Sequence, residues 1–172
     1  MNKVVAITGP TASGKTDLGK IIAKKFNGAV VSVDSRQVYK ELDLGTGKDK
    51  SFYQEMIDIV EPGKTYSVAE YIKHALPAID KIYRQNKLPI LVGGTGYYLD
   101  ALLYEQDFLK VDSPIIKSKL EKLSVPELID NLTKLDSASA LRCADNRRRL
   151  LRALEIVLAT GKAVPKQPKH PR

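Results

Sequence analysis

Gly9-Pro10-Thr11-Ala12-Ser13-Gly14-Lys15-Thr16 fits the pattern G-x-x-x-x-G-K-[ST] at every fixed position. A short β-branched apolar run, residues 3–8, leads into it. Residues 16–26 follow, with Leu18, Ile21, Ile22 and Phe26 at helical spacing. A strand, a glycine turn and a helix form the context in which this pattern holds phosphate. Gly9 and Gly14 let the backbone curl so that its N–H groups converge on phosphate oxygens. The helix start adds unpaired N–H groups and the positive end of its dipole. Lys15 brings a point charge to the terminal phosphates, and the Thr16 hydroxyl suits a Mg²⁺ ligand. The eight residues are the candidate polyphosphate-binding loop. By themselves they do not distinguish hydrolysis, phosphorylation and group transfer.

Working outward, residues 29–33 read as a second strand ending at Asp34-Ser35, and residues 88–92 as a third, closed by Gly93-Gly94-Thr95-Gly96. A further short strand is expected at Met56 to Val60. Ser67 and Glu70 have the spacing of a capping box. They open a helix whose buried face carries Val68, Tyr71, Ile72, Ala75, Ile79 and Ile82. Pro77 sits inside that pattern, a place where helices kink. Another helix is expected from Tyr97 to Leu103. The alternation predicts an α/β fold: a P-loop NTPase-like parallel sheet with helices on both faces. Beyond Val111 the pattern turns helical, with helices expected over 113–123, 126–135 and 145–160 and Gly161 as a C-cap. The domain reading is a core over 1–111, a small helical appendage over 112–162, and a basic, proline-bearing tail or truncation point over 163–172.

In an open parallel sheet, ligands gather at the carboxyl ends of the strands. Asp34 leaves such an end beside the phosphate loop. It is placed to coordinate Mg²⁺ or to accept a proton from a bound substrate. Ser35 and Gln37 can donate and accept hydrogen bonds, as reading a base edge requires. The glycines around Thr95 imply close approach to a ligand or to another element. Asp145 or Asn146 caps a helix whose first turns carry Arg147, Arg148, Arg149 and Arg152; guanidinium forks suit phosphate.

The 172 residues carry a net charge of +8, unevenly placed. Residues 1–116 hold 15 lysines and arginines against 14 acids, whereas residues 117–172 hold 13 against 6. The basic third points to a polyanionic partner. One cysteine, Cys143, excludes an internal disulfide and a cysteine metal cluster. No apolar run approaches the roughly 20 residues that span a bilayer. No signal peptide is read at the start. A cytoplasmic monomer with no membrane contact is expected.

Taken together, the phosphate loop, Asp34-Ser-Arg-Gln-Val-Tyr39, Leu42-Asp-Leu-Gly-Thr46, Gly93-Gly-Thr-Gly96 and Arg152-Ala-Leu-Glu155 resemble the tRNA dimethylallyltransferases (tRNA isopentenyltransferases). Asp58-Ile-Val60 and Tyr66-Ser-Val-Ala-Glu70 are similar to the family as well. The resemblance covers about residues 1–162. It implies transfer of a dimethylallyl group from dimethylallyl diphosphate to N6 of the adenosine 3′ of the anticodon in tRNA, with Mg²⁺. It implies that Gly9 to Thr16 hold the diphosphate, with Lys15 and Thr16 stabilising the leaving group, and that Asp34 is the general base. It implies tRNA contacts at Asp34, Ser35, Arg36, Gln37, Thr95, Lys117, Arg148 and Arg149. Family members commonly run longer, so a fragment or an unusually reduced enzyme is a further expectation. The alternatives are a P-loop small-molecule kinase using ATP, a prenyltransferase acting on free adenine nucleotide, and an inactive tRNA- or diphosphate-binding fragment.

Overall fold

The computed structural model describes residues 3–105, 111 and 113–164. They fall into two compact units, one on each side of residues 106–107. The first unit contains four strands, β1 (Val5–Thr8), β2 (Gly28–Ser32), β3 (Gln54–Glu55) and β4 (Leu88–Gly93), and three helices, α1 (Lys15–Lys25), α2 (Val68–Arg84) and α3 (Gly96–Leu103). The strands form one parallel sheet in the order β1-β4-β2-β3.

Alternation of side chains along the strands sorts the core. Val30, Ile90 and Val92 form a cluster with Ile22 and Ala23 of α1. Val31 and Leu91, of opposite parity, are fully buried on the other face, where α2 packs against β2 and β4. Gly19 lets α1 approach the sheet: a Cβ there would lie 2.7 Å from Val92 Cγ2. Of the apolar residues at helical spacing over 16–26, Leu18, Ile21 and Phe26 are exposed. The helix rests on Gly19, Ile22 and Ala23, and its outer stripe is uncovered among the described residues.

The Ser67–Glu70 capping box forms, with Glu70 Oε2 accepting from Ser67 N at 2.7 Å and Ser67 Oγ from Glu70 N at 3.3 Å. α2 runs on through Pro77. Pro77 and Lys73, whose carbonyl lacks the N–H of residue 77 as a partner, are both exposed residues. The strand expected at Met56 to Val60 is not there. Met56 and Asp58 have φ of 70° and 54°, which no strand residue adopts. The strand is Gln54–Glu55, and Val60 forms only an isolated bridge to Tyr39.

The second unit is helical: α4 (Pro114–Leu120), α5 (Val125–Cys143) and α6 (Arg147–Thr160). Leu120, Leu128, Leu132, Ala140, Leu150, Ala153, Leu154 and Val157 close its core. α5 continues beyond the expected end at residue 135. Asp136 breaks helical geometry (φ −153°, ψ 83°) and restarts the turn by accepting from Ser139 N at 3.0 Å. A second capping box, Ser124 with Glu127, opens α5. Asn146 rather than Asp145 caps α6, accepting from Arg149 N at 3.1 Å, and Gly161 ends it at φ 66°. Most of the expected tail, residues 165–172, lies outside the described residues.

Candidate active site

Strand register places the three motifs on one edge. Thr8 pairs with Gly93 and Ser32 with Val92. The loops that follow, Gly9–Lys15, Val33–Gln37 and Gly94–Gly96, therefore leave the sheet side by side. Together they frame a cleft of about 950 Å³. Thr11 to Asp17 line it from the phosphate loop, Asp34 to Gln37 from the end of β2, and Val92 to Thr95 from the end of β4.

Ala12 and Gly14 both take positive φ, 62° and 76°, which curls the phosphate loop into α1. Gly14 is the N-cap and supplies no side chain to the first-turn N–H groups. Those donors remain available to an anion. The Lys15 ammonium donates to the Pro10 carbonyl and, at 3.4 Å, to Ser13 Oγ. Gly9 and Pro10 shape the loop from behind and are not among the residues lining the cleft. Thr16 lines the cleft, and its hydroxyl makes no hydrogen bond among the described residues.

Asp34 is partly exposed. Its Oδ1 accepts from the N–H groups of Arg36 at 2.8 Å and Gln37 at 3.3 Å. Those bonds fix the carboxylate in the mouth of a turn. Oδ2 has no partner among the described residues, so one oxygen is held and the other is available for chemistry.

Gln37 is more committed than its sequence suggests. Oε1 accepts from Ser32 Oγ at 2.8 Å, and Nε2 donates to the carbonyls of Thr46 at 3.1 Å and Gly47 at 3.3 Å. Ser32 is braced in turn by the buried Tyr71, whose hydroxyl donates to the Ser32 carbonyl at 2.7 Å. Tyr71 stacks on Tyr98 with centroids 4.2 Å apart, and burial pushes the Tyr98 phenol up to about 12. Thr95 Oγ1 accepts from Ser35 N at 3.0 Å, so this hydroxyl stitches the β4 loop to the β2 loop. The glycine run has the same explanation. A Cβ on Gly93 would stand 2.0 Å from the Val33 carbonyl oxygen. The close approach there is to another backbone segment.

The cleft also uses residues without an expected site role, two of them in the motif over residues 42–46. Gly45, Thr46 and Gly47 form a wall with Gln37, and Asp49 and Gln54 complete the lining. Gln54 is buried and donates to the Asp49 carbonyl at 2.6 Å. Hydrogen bonds from Ser51 hold the Asp49 carboxyl below its usual range. The spacing of glycines around Thr46 was the available signal for this wall.

Lys117, Arg148 and Arg149 lie in the second unit, on α4 and α6, and are exposed. Arg148 and Arg149 make no side-chain hydrogen bond or ion pair among the described residues. Arg147 instead donates to the carbonyls of Leu123 at 2.7 Å and Glu121 at 2.9 Å. Arg152 bonds to the Val111 carbonyl and to Glu155, each at 2.7 Å. The arginine cluster thus divides into two structural members and two outward-facing ones.

An IPP transferase family model matches residues 37–172, and an isopentenyl transferase model matches residues 2–58. A tRNA dimethylallyltransferase of Caldanaerobacter subterraneus subsp. tengcongensis is 42% identical over 94% of this chain and 55% of its own length. The full-length tRNA isopentenylpyrophosphate transferase of Bacillus halodurans has a crystal structure similar to this one. It is 38% identical, with a TM-score of 0.63, over 94% of this chain and 57% of that one. A eukaryotic dimethylallyltransferase, described as acting on tRNA, aligns at 31% identity with a TM-score of 0.81, over 95% of this chain and 43% of that one. The chain spans about half the length of the curated relatives it matches.

Proposed function

The chain belongs to the IPP transferase family, and on that premise we propose that it transfers a dimethylallyl group from dimethylallyl diphosphate to N6 of the adenosine 3′ of the anticodon in tRNA. The observation that carries this reading is one cleft lined by both the phosphate loop and Asp34, with Asp34 Oδ2 unpartnered among the described residues.

Each residue has a role that its surroundings support. The loop amides and Lys15 hold the diphosphate, and their positive field opposes the charge that grows on it as the allylic C–O bond breaks. The N6 amine forms the new C–N bond and surrenders a proton to Asp34 Oδ2. Protonated Asp34 and free diphosphate are the other products of the step. The two N–H groups on Oδ1 hold the carboxylate in place during the transfer. Thr16 fits Mg²⁺, because it lines the cleft and its hydroxyl makes no hydrogen bond among the described residues. That donor set suits an ion bound chiefly through substrate phosphates and water. When bound, Mg²⁺ would neutralise diphosphate charge.

Arg36, Lys117, Arg148 and Arg149 carry the RNA phosphates in this proposal, and Ser35, Gln37 and Thr95 shape the acceptor side of the cleft. The target base leaves its stack to enter. A monomer in the cytoplasm belongs to the same proposal, open to sedimentation and fractionation. Among the described residues no helix is long and apolar enough to cross a membrane.

The test is transfer from radiolabelled dimethylallyl diphosphate to an unmodified anticodon stem-loop with Mg²⁺. Asp34→Ala should lower the rate by about 10² to 10⁴ while leaving diphosphate affinity unchanged, the range expected for a general base. Label transfer indifferent to Asp34→Ala removes the base assignment. Phosphate transfer from ATP in place of prenyl transfer makes the chain a kinase.

A further inference from the structure

Within the wall formed by Gly45, Thr46 and Gly47, the local tie is the Thr46 hydroxyl, which donates to the Leu42 carbonyl at 2.6 Å. Gly45 and Gly47 sit at φ of 76° and 64°, and a Cβ on either would meet nothing within 4 Å. Further support comes from residues outside the wall. Lys48, the next residue, has a fully shielded side chain. Its ammonium has three protons to donate and three acceptors within reach. These are the Tyr39 carbonyl at 2.8 Å, Asp43 Oδ1 at 3.0 Å and Asp58 Oδ1 at 2.6 Å.

Those partners are spread along the excursion between β2 and Val60, at residues 39, 43 and 58. Lys50 closes the other side of the same two carboxylates, at 2.7 Å from Asp43 Oδ2 and 3.2 Å from Asp58 Oδ2. Each carboxylate therefore has one oxygen on the buried lysine and one on the half-exposed lysine. The wall itself is also tied by Gln37 Nε2, which bonds the Thr46 and Gly47 carbonyls. Asp58 N donates to the Gln37 carbonyl at 3.2 Å, so the same clamp reaches the backbone of Gln37. Lys48 makes no bond to the phosphate loop.

We propose that Lys48 is a positioning residue that holds the acceptor-side wall of the cleft, through Asp43, Asp58 and the Tyr39 carbonyl, without acting on the diphosphate site. The acceptor assignment rests on the prenyl-transfer reading; the clamp itself does not. A buried ammonium with three matched acceptors is a rigid anchor, and removing it leaves two carboxylates short of a partner. Misplacement of a positioning wall by about 1 Å can cost on the order of 10²-fold.

The experiment compares the full chain with Lys48→Met and with the milder Asp43→Asn, whose side chain is half exposed. Three quantities are read: segment-resolved hydrogen exchange, affinity for inorganic pyrophosphate with Mg²⁺, and affinity for an unmodified anticodon stem-loop. The clamp predicts faster exchange confined to residues 36–60 in both variants. It predicts pyrophosphate affinity within about twofold of the parent and stem-loop affinity lowered by about tenfold or more in Lys48→Met. Exchange unchanged in 36–60, or equal loss of both ligands, overturns it. If Lys48→Met does not fold, Asp43→Asn must show the same separation, and its absence overturns the proposal. A parent chain that binds pyrophosphate but no stem-loop refutes the acceptor reading alone. The clamp is then decided by exchange and pyrophosphate affinity.

Discussion

At Gly93 the Val33 carbonyl stands where a side chain would begin, 2.0 Å from an ideal Cβ. At Gly94 the nearest atom, the Gly9 carbonyl oxygen, is 3.5 Å away, an ordinary contact. The two neighbours should respond differently to the same methyl group. Gly93→Ala must push two backbone segments apart and should cost about 3 kcal/mol or more, whereas Gly94→Ala should cost under about 1 kcal/mol. Urea denaturation of both variants checks this, and comparable losses would show that the β2–β4 edge can relax. Residue chemistry likewise separates Asp34 from Gln37 and Thr95. All three are polar and lie on the same edge. The last two spend hydrogen bonds on neighbouring loops, while Asp34 keeps one oxygen uncommitted. Residue type could not reveal that, because an amide or hydroxyl serves a ligand and a loop carbonyl equally well.

The element that resists reading is the excursion from Asp34 to Val60. Its apolar stretch Met56 to Val60 has strand composition, yet Met56 and Asp58 have left-handed backbone. Tertiary contacts set that conformation: Asp58 must turn its carboxylate to Lys48 and Lys50. Burial would raise the Asp58 carboxyl, but hydrogen bonds from the two lysines outweigh it and hold it below its usual range. Hydrogen bonds from Lys50 and then Lys48 hold Asp43 low in the same way. The network is therefore at full strength above the unfolded aspartate value of about 3.9. It weakens as pH falls through the lower folded values. Thermal melts should show a midpoint that drops below about pH 4, with a smaller drop in Asp43→Asn. Equal acid sensitivity in the two chains would assign the transition to other carboxylates. α5 shows a related limit of local pattern. Asp136 looks like a helix end, and indeed breaks the helix, but its side chain caps the next turn and the helix resumes.

Across the whole molecule, charge and chemistry are divided along the sequence. The cleft belongs to the first unit, while residues 117–172 carry 13 basic against 6 acidic side chains. If Arg148 and Arg149 meet RNA phosphates, each alanine variant should weaken stem-loop binding and flatten the log–log salt dependence by about one unit. Arg147→Ala, which loses bonds to Glu121 and Leu123, should act on stability more than on that slope. An unchanged slope for Arg148→Ala and Arg149→Ala would move the RNA surface elsewhere. The sequence by itself determined the phosphate loop, the parallel α/β class, the N-cap of α2 and the Gly161 C-cap of α6. Each of these depends on residues within a few positions of one another, through glycine φ, strand and helix periodicity, and side chain to backbone bonds. Only the tertiary structure decided which arginines face outward, that the glycines after β4 make room for Val33, and that Lys48 anchors the cleft wall. Those outcomes depend on groups distant in the chain competing for the same donors, acceptors and space, and such competition is settled only when the strands take their register.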